Sequence, residues 1–404
     1  MPPSVPRMPA SGDHLRRISA VHREGDERVT PLELFFDLVF VLCITQCSTL
    51  MEADPTWRGV GKGLLVLAVL WWGWEGYAWF TSVLDPEEGM VRGAMFAVMA
   101  AFLVAAMAVP QAFGDLGLTF AIAYAVVRVG HLVLFGVASR GIPALRRSVW
   151  TGLVPSTLVG VALLVGASQV GGAGKVGLWV AAIGLDVAGP FIFGAEGWHL
   201  VPRHFAERHG LIFLIALGES IAALGRGADH GMTAGLITAA VIGVACCAAM
   251  WWAYFDVVAL VAERRLSAAT IGREQNELAR DSYSLLHYPM VAGVVLVAFG
   301  LRQTLAHEDQ RLASVPAAAL VGGMAVYLLA HVAFRLRNVR SVNRQRLLLG
   351  LVLLAAVPVA HRVDAIVALA GVTVLLWALI GYEATRFAAA RDAVRHAGHD
   401  LPPS

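Results

Sequence analysis

Apolar stretches of bilayer length fill this chain from end to end, and they set its fold class before any single residue is considered. A helix needs about 20 apolar residues to cross a bilayer. Twelve such stretches are read, at 33–51, 60–82, 91–110, 116–138, 148–168, 174–195, 207–225, 232–256, 284–304, 315–335, 346–361 and 363–385. In lipid every backbone N–H and C=O must be satisfied within the protein, so segments of this length cross as helices. Composition agrees, because 58% of the 404 residues are hydrophobic and only 15% are charged. A soluble domain carries about a quarter charged residues. The expectation is an all-α polytopic membrane protein of about 12 transmembrane helices, lying in the inner or plasma membrane with the lipid bilayer as its first partner.

Charge gives an orientation. With the N-terminus inside, the inner segments collect 23 of the Arg and Lys residues, against seven outside (Arg58, Lys62, Lys175, Arg226, Arg302, Arg311 and Arg362). The positive-inside bias then places both termini in the cytoplasm. The net charge of +2 excludes nucleic acid as a partner, since no basic patch interleaved with aromatics accompanies it. Cys43, Cys47, Cys246 and Cys247 all lie inside apolar runs and read as small packing residues. The polar stretch through Arg28 has no apolar core, so no cleaved signal peptide is expected.

The two halves echo each other. Glu33 opens the first span and Trp71-Trp72-Gly73-Trp74-Glu75 lies late in the second. Glu207 opens the seventh, and Trp251-Trp252-Ala253-Tyr254-Phe255-Asp256 ends the eighth. Tyr124, Arg128 and His131 in the fourth span answer Tyr327, His331 and Arg335 in the tenth. A 6+6 parallel duplication is expected: a polar tail at 1–30, six-helix repeats at 31–200 and 201–390, and a tail at 391–404. The segment 257–283, with Glu263-Arg264-Arg265 and Arg273-Glu274, reads as an amphipathic cytoplasmic helix or helical extension.

Ionisable side chains inside such spans are costly and therefore mark candidate sites. Glu33 and Asp37 are spaced i and i+4, about 6 Å apart on one helix face, so a shared proton is plausible chemistry there. Helix capping explains Glu33 equally well. Glu219 lies twelve residues beyond Glu207, about 18 Å along a helix and near mid-bilayer. Arg128 and His131 are its expected partners by depth, and Asp186 is a further mid-span acid. His199, His204, Glu207, Arg208 and His209 cluster at a membrane boundary, but without an HExxH or Cys/His spacing they suggest a hydrogen-bonded cluster and no metal. Glu75 and Asp256 sit beside tryptophans and tyrosines whose expected place is an aromatic belt at headgroup level. Gly59-Val60-Gly61-Lys62-Gly63 lacks phosphate-loop spacing and reads as a flexible loop.

The run Thr30-Pro31-Leu32-Glu33-Leu34-Phe35-Phe36-Asp37 resembles the opening of the bacterial low temperature requirement protein A family. So does His204-Phe205-Ala206-Glu207-Arg208-His209-Gly210-Leu211, continuing to Gly218-Glu219-Ser220, and so does Trp251 to Asp256. The likeness runs from about residue 29 to 385. It implies a membrane protein tied by name to growth in the cold, with no biochemical activity attached. Phe36-Asp37 is also similar to part of a Phe-Ser-Asp motif in a family of endolysosomal and bacterial potassium channels, although span seven has no matching triplet.

Three functions are compatible with these residues. One is movement of a small ion, proton or solute along a polar path between the halves, using Asp37, Glu219, Arg128 and His131. Another is a membrane enzyme acting on a lipid or hydrophobic molecule through His204, Glu207 and His209. The last is a stress-related scaffold whose charges only fix packing. No residue pattern assigns a catalytic group, a cofactor or an oligomeric state.

Overall fold

A computed structural model describes residues 28–87, 89–192, 198, 200–226 and 233–396. Of these, 87% are helical and none forms a strand. The helices of the first half are α1 (Pro31–Ala53), α2 (Trp57–Val83), α3 (Gly89–Ala108), α4 (Gly117–Ala138), α5 (Pro143–Ser148), α6 (Val154–Gln169) and α7 (Gly172–Ile192). A π-turn at Val149–Leu153 joins α5 to α6. The second half holds α8 (Pro202–Arg226), α9 (Ala234–Phe255), α10 (Val258–Ser267) and α11 (Arg273–Ala279). After these come α12 (His287–Ala306), α13 (Ser314–Val339), α14 (Arg344–Ala360), α15 (Ala365–Arg386) and α16 (Ala388–His396). A second π-turn, Arg280–Leu285, carries α11 into α12. Among the described residues, nine helices are long and apolar enough to cross a membrane.

Local chemistry starts the helices where the apolar runs begin. Thr30 caps α1 in a capping box with Glu33, and Pro31 occupies the first turn, where its missing N–H costs nothing. Thr56, Thr233 and Asn343 cap α2, α9 and α14 with their side-chain oxygens. The Gly59–Gly63 stretch is therefore not a loop. It lies in the first turns of α2.

Packing is densest around α12 and α13, whose windows are 72% and 78% buried, against 22% for α7. The two helices approach closely because small residues face each other. A Cβ added at Gly293 would lie 2.8 Å from the carbonyl oxygen of Gly323, so only glycine fits this crossing. In the first half, α1 packs on α2 and α3, α3 on α4, α4 on α6 and α2 on α7. In the second, α8 packs on α9 and α12, α12 on α13, α13 on α14 and α9 on α15. The halves meet where α1 packs on α8.

The aromatic belt is not what Trp71, Trp74, Tyr77 and Tyr254 form. All four are buried in the core, because their helix faces turn inward and each polar atom finds an internal partner. Trp251 is exposed, as a belt residue would be. The segment after α9 is helical, in α10 and α11, but it buries Gln275, Asn276 and Tyr283 and so is part of the packed structure. The C-terminal tail begins as α16, whose Arg391 and Arg395 both pair with Asp256.

Candidate functional site

The charges of α1 are neutralised by α8. Arg208 extends its guanidinium across the interface, with Nη2 donating to Asp37 Oδ1 at 2.6 Å and Nη1 donating to Glu33 Oε1 at 3.2 Å. Nη1 also donates to Thr81 Oγ1 of α2 at 2.8 Å. His204, one turn earlier on α8, places Nε2 2.9 Å from Glu33 Oε1. Trp74 of α2 donates its Nε1–H to the same Asp37 oxygen at 2.8 Å, and its ring lies under the guanidinium, 5.5 Å from centroid to Cζ. All of these ionisable groups are buried. Isolated charges there would be prohibitive, and the network makes them tolerable by pairing and hydrogen bonding each one.

Glu33 therefore does two jobs. Its carboxylate accepts from the Thr30 backbone N–H at 2.8 Å, completing the cap, and it also receives Arg208 and His204. Two carboxylates thus share one guanidinium.

A second cluster adjoins the first. His209 Nδ1 lies 2.8 Å from the carbonyl oxygen of Phe205. A carbonyl only accepts, so Nδ1 carries a hydrogen. His209 Nε2 lies 2.8 Å from Glu75 Oε1, and two acceptors cannot make that contact. A hydrogen bond there needs a hydrogen on Nε2 or on the Glu75 carboxyl. The other oxygen of Glu75 accepts from Ser284 Oγ at 2.9 Å, and Ser284 Oγ accepts from Trp79 Nε1–H at 3.0 Å. The His209 ring lies against that of His287, 5.1 Å between centroids, and His287 Nε2 accepts from the Tyr254 hydroxyl at 2.8 Å.

The structure regroups the residues singled out from sequence. Arg128 and His131 do not pair with Glu219. Arg128 donates to Asp186 at 2.9 Å and to Thr157 at 2.8 Å, because α4 turns its polar face toward α6 and α7. Glu219 instead accepts from Thr45 at 2.5 Å, with Arg302 at 3.6 Å and Arg302 also paired to Glu52. Arg302 lies within the expected span 284–304 and within α12, although its charge is counted with the outer segments, so no partner is sought for it in sequence. Glu207 is exposed and accepts from the Val29 backbone N–H at 3.4 Å; His199 lies outside the described residues. Glu75 is buried away from the surface, and Asp256 is buried beneath α16. Among the described residues no group of three or more His, Cys, Asp or Glu is arranged to hold a metal.

Two cavities adjoin these groups. The first, of about 100 Å³, is walled by Glu75, His131, Arg128 and Asp186 and by both π-turns through Gly152, Leu153, Arg280 and Ser284. Single π-turns recur at functional sites. The second, of about 520 Å³, is bordered by Asp256, His331, Arg346 and Glu383. Asp37 and Glu219 line neither.

Comparison with known proteins gives the lineage. The chain is 29% identical over 316 residues to the uncharacterised protein RA0937 of Rhizobium meliloti (strain 1021), covering 73% of this chain and 74% of that protein. No solved structure matches it. The family model of the bacterial low temperature requirement A protein (LtrA) matches residues 28–381, a range that contains the whole α1–α8 charge network. This membrane protein belongs to the LtrA family.

Proposed function

We propose that this protein moves protons, alone or coupled to a small solute, across the membrane between two six-helix halves. The observation that carries the reading is the buried Glu75–His209 contact at 2.8 Å, which joins α2 of the first half to α8 of the second and can hold a proton between a carboxyl and an imidazole. Its surroundings suit that task. The first cavity reaches Glu75, the Arg208 cluster beside it gathers two carboxylates on one guanidinium, and Asp37 Oδ2 has no partner among the described residues. Buried ionisable groups drawn from both halves are the usual parts of intramembrane proton relays.

The same reading takes twelve crossings, with both termini in the cytoplasm of an inner or plasma membrane. The three helices beyond the nine apolar ones are α2 and α8, which carry the charge network, and the 17-residue α14. A duplication is supported by the matching order of packing, α1, α2, α3, α4, α6 and α7 answering α8, α9, α12, α13, α14 and α15. It is also supported by the two cavities, walled in part by corresponding helices (α2, α4, α6 and α7 in one, α9, α13, α14 and α15 in the other), each beside a histidine and an Arg–acid pair. Repeat interfaces are where transporter folds place their sites.

The test is proton flux in proteoliposomes loaded with a pH-sensitive dye under an imposed potential, comparing the wild type with Glu75→Gln. Flux equal in the two would overturn the reading.

A further inference from the structure

The second cavity has features of a ligand site that the proton reading does not use. Its volume of about 520 Å³ falls within the span of small-molecule sites, about 300–1,000 Å³. Four arginines border it (Arg335, Arg344, Arg346 and Arg391) against two acids, Asp256 and Glu383. Four less two leaves an excess of two positive charges. The start of α14 also faces it, through Asn343, Arg344 and Gln345, and a helix start favours an anion.

His331 makes the demand specific. Arg346 Nη1 lies 3.0 Å from His331 Nδ1, and a guanidinium can only donate, so Nδ1 accepts and the ring hydrogen sits on Nε2. His331 is 2% exposed and borders the cavity, and Nε2 has no partner among the described residues. A buried donor with nothing to donate to calls for an acceptor. Arg346 is already spent on Glu383 and on the Ala253 carbonyl. Arg344, exposed on the first turn of α14, has no acidic partner among the described residues. Two turns along α13, Asn338 offers a buried Oδ1 that has no donor, about 10 Å from His331 at helical rise.

We propose that this cavity binds a small phosphomonoester, its phosphate held by His331 Nε2–H, Arg344 and the start of α14, and its hydroxyl-bearing part facing Asn338. A phosphomonoester carries about −1.5 to −2 at neutral pH, which matches the excess positive charge. The phosphate belongs to a soluble metabolite or to a lipid headgroup, and the experiment separates the two.

Binding is measured by calorimetry on the full chain in nanodiscs of uncharged lipid. Glycerol 3-phosphate is the soluble probe, glycerol the uncharged control, and phosphatidic acid added to the disc the lipid probe. Saturable binding of glycerol 3-phosphate but not glycerol is expected, weakened about tenfold in Arg344→Gln and His331→Gln, the loss of one charge-assisted hydrogen bond each. Because His331→Gln also disturbs Arg346, the exposed Arg344→Gln decides if the former fails to fold. Binding seen only with phosphatidic acid and weakened by Arg344→Gln assigns the same site to a headgroup. No saturable binding from either source, equal binding of glycerol, or indifference to Arg344→Gln overturns the proposal. None of these outcomes depends on proton flux.

Discussion

His209 and Glu75, 134 positions apart, meet at 2.8 Å with the other ring nitrogen of His209 already committed to the Phe205 carbonyl. A hydrogen bond between them needs a proton on Nε2 or on the Glu75 carboxyl. Changing either partner should remove it. In Glu75→Gln the side-chain NH2 donates to Nε2 of a neutral His209, so the bond survives without that proton. Proteoliposome flux should fall to the level of protein-free vesicles while the detergent-solubilised protein keeps its melting temperature within a few degrees.

Arg208 should be the most costly single residue of the interface. Arg208→Gln leaves Glu33 and Asp37 buried without their shared cation, a loss of about 3–5 kcal/mol for a broken buried pair. Adding Asp37→Asn should recover part of it. Thermal unfolding in detergent across the single and double variants measures the coupling, and strict additivity would contradict the contact.

Arg128 and Asp186 form a structural tie in this reading. Arg128→Met alone should destabilise by about 3–5 kcal/mol, whereas Arg128→Met with Asp186→Leu should sit near the wild type or above it. Melting temperatures of the two variants check the sign, and a double variant as poor as the single one would indicate a role beyond packing.

The α12–α13 crossing predicts a steric effect with no charge involved. At Gly293 a Cβ meets the Gly323 carbonyl oxygen and the Tyr327 backbone nitrogen at 2.8 Å. Gly293→Val should therefore cost about 1–3 kcal/mol through overpacking. Gly61→Val, where nothing lies within 4 Å of the added Cβ, is the matched control.

The presence of apolar helices was readable from sequence, and rotation about each helix axis was not. Counting residues marks Glu33, Asp37, Glu219, Arg128 and Asp186 as acids and bases inside apolar runs, and all five are buried. Which residues pair depends on helix azimuth, and nothing in a single apolar run reports it. Arg128 and Glu219 were matched by height, yet α4 presents Arg128 to α7. The tryptophans failed for the same reason: their height suited a headgroup belt, while their faces point inward to Asp37 and Ser284. Arg208 stood in the quoted motif without a partner, because the residue it serves lies 171 positions away.

That separation bears on how the protein is made. Ribosomes add about 5–20 residues per second, so the acids of α1 are synthesised roughly 10–30 s before Arg208 emerges. During that interval α1 has to wait at the translocon, with Glu33 and Asp37 either hydrated or carrying protons. The hydrogen bonds that Thr30 and Trp74 supply are encoded within the first 74 residues, early enough to shelter both carboxylates until their cation arrives. The Arg208 contacts to Glu33 and Asp37 can therefore form only once α8 has been made.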